Sequence, residues 1–215
     1  MTLKREDSAQ VVQTQIKNPD LVERRRRQIV DAAVPLFVEK GFHKTTTRQI
    51  AKAADFSIGT LYEYVASKED VLYLVCDAIH DQIERRIGAV LSRVQKGREA
   101  LAAMIREFFL TSHRMSDVYL LMYQETHALP PQWREKVSEK ELRINELIHQ
   151  SLKRIAESGD LGDLDDDALK LLSHNISVMA HMWTFRRWVL GKEFTIEDYI
   201  TRQTEYILKM VPPKQ

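Results

Sequence analysis

Along almost its whole length the chain sets apolar residues three and four positions apart, and nowhere does it alternate apolar with polar at a period of two. The first pattern lines one face of an α-helix and the second would line one face of a strand, so the sequence asks for helices and offers no sheet. Glycine and proline, 7 and 6 residues of 215, are too few to punctuate many turns. Helices must be long and loops short. The expected fold is all-α, about nine helices, with a small N-terminal three-helix unit joined to a larger C-terminal helical bundle.

Start and stop signals divide the chain further. Residues 1–20 are polar and aperiodic and contain Asn18-Pro19, which reads as a mobile arm. Ile29, Ala33, Leu36 and Phe37 then share one face of a first helix closed by Gly41, with Pro35 expected to kink it. Thr46 and Gln49 are spaced as a capping box, and the helix they open stops at Asp55-Phe56. Ser57 is placed to cap a second short helix carrying Ile58, Leu61, Tyr62 and Val65. Ser67-Lys68-Glu69-Asp70 opens a long helix whose face Leu72, Val75, Ile79, Ile83 and Ile87 is expected to reach Gly97. Further helices are expected over about 98–115, 117–127, 131–158, 166–190 and 196–210. The predicted organisation is an arm over 1–20, a three-helix unit over 21–70 and a larger helical bundle over 71–215.

Composition removes several classes. No run of about 18 uncharged apolar residues is present to span a bilayer, and the N-terminus lacks the apolar stretch of a secretory signal, so a cytoplasmic protein with no membrane partner is expected. One cysteine, Cys76, excludes an intramolecular disulfide and a cysteine-rich zinc site. Net charge is only +1, so nucleic-acid binding has to come from local charge placement.

The segment 21–65 has the arithmetic of a helix-turn-helix reader: one helix packed on a tight pair, the second of which enters the major groove. With Ile58, Leu61 and Val65 turned inward, Ser57, Gly59, Thr60, Glu63 and Tyr64 are expected outside. Gly59 would let the backbone come close to DNA, and Thr60 would meet a base edge. The Tyr62 and Tyr64 hydroxyls suit phosphate oxygens. Thr47, Arg48 and Lys68, at helix starts on either side, are candidate phosphate clamps. Arg24 to Arg27 fit a solvated helix start as well as a phosphate contact.

Arg48-Gln49-Ile50-Ala51-Lys52-Ala53-Ala54, followed by Ser57-Ile58-Gly59-Thr60-Leu61-Tyr62-Glu63-Tyr64-Val65 and Ser67-Lys68-Glu69-Asp70-Val71-Leu72, resembles the DNA-binding domain of the tetracycline-repressor (TetR) family of bacterial transcriptional regulators. Ile29 to Ala33 and Phe37 to Phe42 match the first helix of that domain. The resemblance covers about 50 residues and implies that Thr47, Arg48, Thr60, Tyr62, Tyr64 and Lys68 contact double-stranded operator DNA. It implies a C-terminal bundle that binds a small molecule and pairs two subunits. Two positions depart from the family pattern: Asp55 stands where glycine is common, and Pro35 interrupts the first helix.

In the bundle, the 166–190 helix is apolar on two stripes, Leu169, Leu172, Ile176, Met179, Trp183 and Leu171, Val178, Met182, Phe185, Val189, as if buried on several sides. One side suits a pocket and the other a partner subunit. Met104, Phe108, Tyr123, Trp133, Met179 and Trp183 are the candidate pocket residues for an apolar or aromatic small-molecule effector, with ordinary core packing as the competing reading. Arg186 and Arg187 suit either an anionic ligand group or an ion pair.

Other chemistries fare worse. Cys76 and His80 are an i, i+4 pair, but no orienting group or oxyanion site accompanies them, so no enzyme is expected. Asp163, Asp165 and Asp167 open like a calcium loop but lack its glycine and glutamate. His174 and His181 lie two helical turns apart, too far to share one ion, and read as core or pocket histidines. No metal or cofactor is expected. The resulting reading is a homodimeric, ligand-released repressor. The alternative is a helix-turn-helix protein whose bundle recruits a protein partner without sensing a small molecule.

Overall fold

The computed structural model describes residues 12–14, 16–92, 97–157, 159, 162 and 164–211. Among them the chain forms α1 (Pro19–Lys40), α2 (Thr47–Ala53), α3 (Ile58–Tyr64), α4 (Lys68–Leu91), α5 (Gly97–Arg114), α6 (Ser116–Glu125), α7 (Pro131–Glu157), α8 (Asp166–Leu190) and α9 (Ile196–Met210), with no strand. A short 3-10 turn, Thr126–Ala128, precedes α7. The all-α expectation holds. Boundaries move where propensity alone decides them: α4 ends at Leu91 rather than running to Gly97. Pro35 lies on the exposed side of α1, which continues through it as one helix.

The expected arm needs correction. Residues 1–11 and 15, with Lys4 and Arg5, lie outside the described residues. The rest is anchored at points: Val12 is 2% exposed, the Thr14 hydroxyl donates to Glu63 O at 2.8 Å, and α1 already begins at Pro19 under an Asn18 cap.

The chain divides into two units, Met1–Cys76 with Glu125–Lys136, and Asp77–Gln124 with Val137–Gln215. The first therefore takes in a later segment that the expected boundary at residue 70 assigned to the bundle. Polar and aromatic contacts tie that segment in. Trp133 Nε1 donates to Asp70 Oδ1 at 2.9 Å, its ring stacks on Tyr73 at 4.3 Å, and His43 lies 3.3 Å from Glu125. Asp70 is buried, and its other oxygen accepts the Ala66 and Ser67 amides at 2.9 and 3.1 Å, which caps α4.

The core of the first unit comes from the periodic positions: Ile29, Ala33 and Phe37 of α1, Ile50 and Ala51 of α2, Leu61 of α3, and Val71 and Leu72 of α4. In the second unit α5 packs on α8 and α9, burying Leu101, Ile105 and Phe109 on its side. Arg98, at the start of α5, donates to Leu208 O and Val211 O and so closes the last turn of α9. No described helix is long and apolar enough to cross a membrane.

Candidate nucleic-acid interface and effector cavity

The two short helices of the first unit each have seven residues. Peptide helices of that length do not persist in water, so their ends need outside support. At their N-termini the sequence supplies it locally. Thr46 and Gln49 form the expected capping box on α2, and Ser57 Oγ accepts the Thr60 amide at 3.0 Å on α3. The C-termini are capped from elsewhere. Gln28 of α1 donates to Ala54 O at 2.7 Å, and Arg26 of α1 donates to Tyr64 O through Nε at 3.2 Å and Nη2 at 3.1 Å. The same guanidinium also donates to Val12 O, tying the N-terminal extension to the end of α3. Burial presses the Arg26 pKa below its ordinary value, against the opposing pull of Asp70 and Tyr73. Arg26 is thus a structural cation, and Arg27 pairs with Glu23 on the surface.

Between α2 and α3 the chain turns at Asp55, which adopts φ of 57°. Left-handed backbone is the natural place for glycine, and a short acidic side chain is among the few others that tolerate it. The turn therefore forms with the residue that departs from the family pattern.

Around α3, Ser57 and Gly59 are exposed and Thr60 is half-buried, with its hydroxyl 2.9 Å from Ser57 Oγ. A Cβ at Gly59 would meet only Ser57 Oγ, at 3.6 Å, so the chain's own packing does not require glycine there. Tyr62 is 47% exposed and its hydroxyl lies 3.1 Å from that of Thr47. Arg48 is exposed at the start of α2. These side chains form one surface.

Two expected members do not belong to it. Tyr64 is 4% exposed, with its ring against Phe56 at 6.3 Å, while Ile58, expected inside, is 38% exposed. The cause is a phase error: α3 turns Leu61, Tyr64 and Val65 inward, an i, i+3, i+4 stripe, which carries Ile58 to its outer edge. Lys68 is the second correction. Its ammonium donates to Phe42 O at 2.9 Å, Thr45 O at 3.0 Å and His43 O at 3.3 Å, and sits over the Phe42 ring at 4.3 Å. All three donors are spent within the chain, so it clamps the α1–α2 turn.

In the second unit α4, α5, α6, α7 and α8 surround a small cavity of about 10 Å³, the space of one water, which reaches the surface beside the 37% exposed Tyr123. Phe108 and Tyr123 line it, as expected, and Met104 is buried core beside Leu101 and Ile105. The remaining expectations fail. Trp133 belongs to the first unit; Trp183 packs on Tyr199 at 5.1 Å and donates to His113 at 2.8 Å; Met179 is half-buried, and its carbonyl accepts from Tyr199 at 2.6 Å. Selecting large apolar side chains found core. The polar lining, His80, Glu141, Asn145, Ser177 and His181, carried no local pattern that would reveal it. His174 is exposed, so only His181 of that pair faces the cavity. Asp165 caps α8, and Asp163 lies outside the described residues.

That polar lining is directional. The Tyr123 hydroxyl donates to Glu141 Oε1 at 2.5 Å and lies 3.1 Å from His181 Nδ1, so Nδ1 carries the proton in a neutral ring. Ser177 donates to Asn145 Oδ1 at 2.8 Å, and Asn145 donates to Glu141 O at 3.2 Å. Burial lowers the His181 pKa to about 4, against the attraction of Glu141 and helped by His80. Burial, with Glu141 adding to it, raises that of Tyr123. Both groups stay neutral across physiological pH.

A short exposed helix on a three-helix unit, capped by its own Ser57 at one end and by Arg26 of α1 at the other, has the arrangement of a helix-turn-helix DNA-binding protein. Comparison with known proteins narrows the class. Residues 29–73 match the model of the bacterial regulatory proteins of the tetR family, and residues 94–187 match a tetracyclin repressor-like C-terminal domain. The transcriptional regulator HbdR of Aromatoleum sp. (strain CIB) is 30% identical over 206 residues, covering 96% of this chain and 87% of that one. A tetR-family regulatory protein from Rhodococcus RHA1 has the same fold, with a TM-score of 0.74 at 20% identity over 89% of this chain and 98% of that one. AibR, solved with isovaleryl coenzyme A and operator DNA, gives a TM-score of 0.68 at 18% identity over 88% and 99%. The chain belongs to the TetR family and is a DNA-binding transcriptional regulator, a class that is not enzymatic.

Two substitutions separate surface from support. Arg48→Ala should weaken binding to all DNA sequences and reduce the salt slope by about one. Lys68→Ala should instead lower the stability of the unit by about 1–2 kcal/mol, leaving the salt slope of the folded protein unchanged. Gel-shift titrations over a salt series, paired with urea melts, distinguish the two.

His181 makes a pH signature. Unfolded, the ring titrates near 6.5; folded, it titrates near 4. The unfolded state takes the proton first, so its contribution is complete above about pH 6.5 and is lost as pH falls toward 4, by up to about 1.4 kcal/mol per unit. In His181→Gln the fall in stability across that window should be shallower by that amount, read from urea midpoints.

Proposed function

We propose that the chain is a repressor that binds operator DNA as a two-fold dimer in the cytoplasm and releases it when a small molecule enters the second unit. The small, aromatic-walled cavity with directional polar groups carries this reading. Its present volume admits no organic ligand, so the ligand-competent state is an opened one. Tyr123, 37% exposed on the cavity wall, is the side chain that has to move. A ligand that prefers the open cavity weakens DNA binding by its differential affinity for the two states and by no more. AibR, a chain of this fold solved in complex with isovaleryl coenzyme A and operator DNA, shows that the fold accepts both a small molecule and DNA.

The second copy is argued from α8 and α9. Leu171, Val178 and Phe185, seven residues apart, are 63%, 63% and 40% exposed, Trp188 is 72% exposed, and Tyr206 and Met210 extend the patch. An apolar stripe of this kind is characteristic of an interface. Two copies about its dyad would place two α3 helices on successive major-groove turns, ~34 Å apart.

The operator-bound protein should sediment as a dimer, and Val178→Asp should give a monomer with at least tenfold weaker operator binding. A small molecule extracted from denatured protein, added back, should abolish the gel shift of the wild type. Capture of a protein by a ligand-free chain, with the gel shift unmoved by any extract, would favour partner recruitment instead.

A further inference from the structure

The cavity is more selective than its aromatic walls suggest. Phe108, Met122 and Ile144 supply the apolar body, and no lysine or arginine lines it. Its polar end is set by the chain His181, Tyr123, Glu141. The Tyr123 proton is committed to Glu141 Oε1 and the His181 proton to Tyr123, which leaves lone pairs on His181 Nε2 and on Glu141. Asn145 spends one of its two N–H groups on Glu141 O, and its oxygen accepts from Ser177. His80 and Tyr119 complete the polar surroundings.

We propose that Glu141 and His181 select an uncharged effector whose buried end donates a hydrogen bond, a hydroxyl on a compact apolar or aromatic body, and reject an effector that buries a carboxylate or an ammonium there. A carboxylate would lie beside Glu141 with no cation to offset it, and it would be desolvated as well. An ammonium is rejected for a less obvious reason. A basic group already occupies this position, the His181 ring, and burial holds it neutral although Glu141 attracts its charged form. A second cation placed there would carry the same cost of desolvation. A hydroxyl avoids both costs: it donates to Glu141 or His181 Nε2 and can accept from Tyr119. This rests on the sensing role proposed for the cavity and names the chemistry that role would read.

The test uses the full chain and four probes with one body: 3-phenylpropan-1-ol, its methyl ether, 3-phenylpropan-1-amine as the ammonium, and 3-phenylpropanoate. Binding is followed by NMR at the histidine ring carbons, which reports entry beside His181. The alcohol should bind at least tenfold more tightly than the other three. Glu141→Gln, which replaces the carboxylate with a neutral amide, should cut the preference of alcohol over carboxylate by at least tenfold. If that variant fails to fold, the wild-type comparison of alcohol with methyl ether decides alone. Carboxylate, ammonium or ether binding as tightly as the alcohol overturns the selectivity and leaves sensing intact. No probe shifting the histidine signals at millimolar concentration overturns both.

Discussion

The reading surface exists because the carbonyls at the ends of α2 and α3 find donors outside their own helices. Neither helix is long enough to stabilise itself, and the last carbonyls of each would otherwise face water or apolar packing. Gln28 and Arg26, on the exposed-to-buried flank of α1, reach Ala54 O and Tyr64 O, and Lys68 from α4 gathers three carbonyls of the α1–α2 turn. Cations and amides placed early and late in the unit thus fix the middle of it. This explains why several basic residues near the reading helix are unavailable to DNA, and why Arg48, which carries no such duty, remains on the surface.

Two helices belong to both units by continuity of the chain. α4 opens with Asp70, whose carboxylate caps it and receives Trp133, and further along it carries His80 of the cavity. α7 opens two residues before Trp133 and later carries Glu141, Ile144 and Asn145. Lys140 of α7 in turn binds Asp77 and Asp81 of α4. A change at the cavity that altered the placement of α4 against α7 would thus have a covalent route to Asp70 and Trp133. The population shift proposed for the ligand needs such a two-state element.

Much of this was legible in the sequence, for reasons that can be named. The capping box at Thr46, the serine cap on α3 and the apolar faces of α1 and α4 are local signals, and the structure reproduces them. What escaped depends on partners distant in sequence. Tyr64 read as outward because α3 is too short for its phase to be fixed by pattern alone. Lys68 read as a phosphate clamp because nothing local shows that Phe42, His43 and Thr45 turn their carbonyls toward it. Trp133 read as pocket because its partner Asp70 lies 63 residues away. Glu141 and His181, on different helices, meet only through Tyr123.

The most direct test of the account is a dimethyl sulfate footprint of the purified protein on its selected operator, which reads guanine N7 in the major groove. The account predicts two protected windows centred about one helical turn apart, both lost in Val178→Asp at concentrations that saturate the wild type. No guanine N7 protection at saturating protein, or a single window unaffected by that substitution, would contradict it.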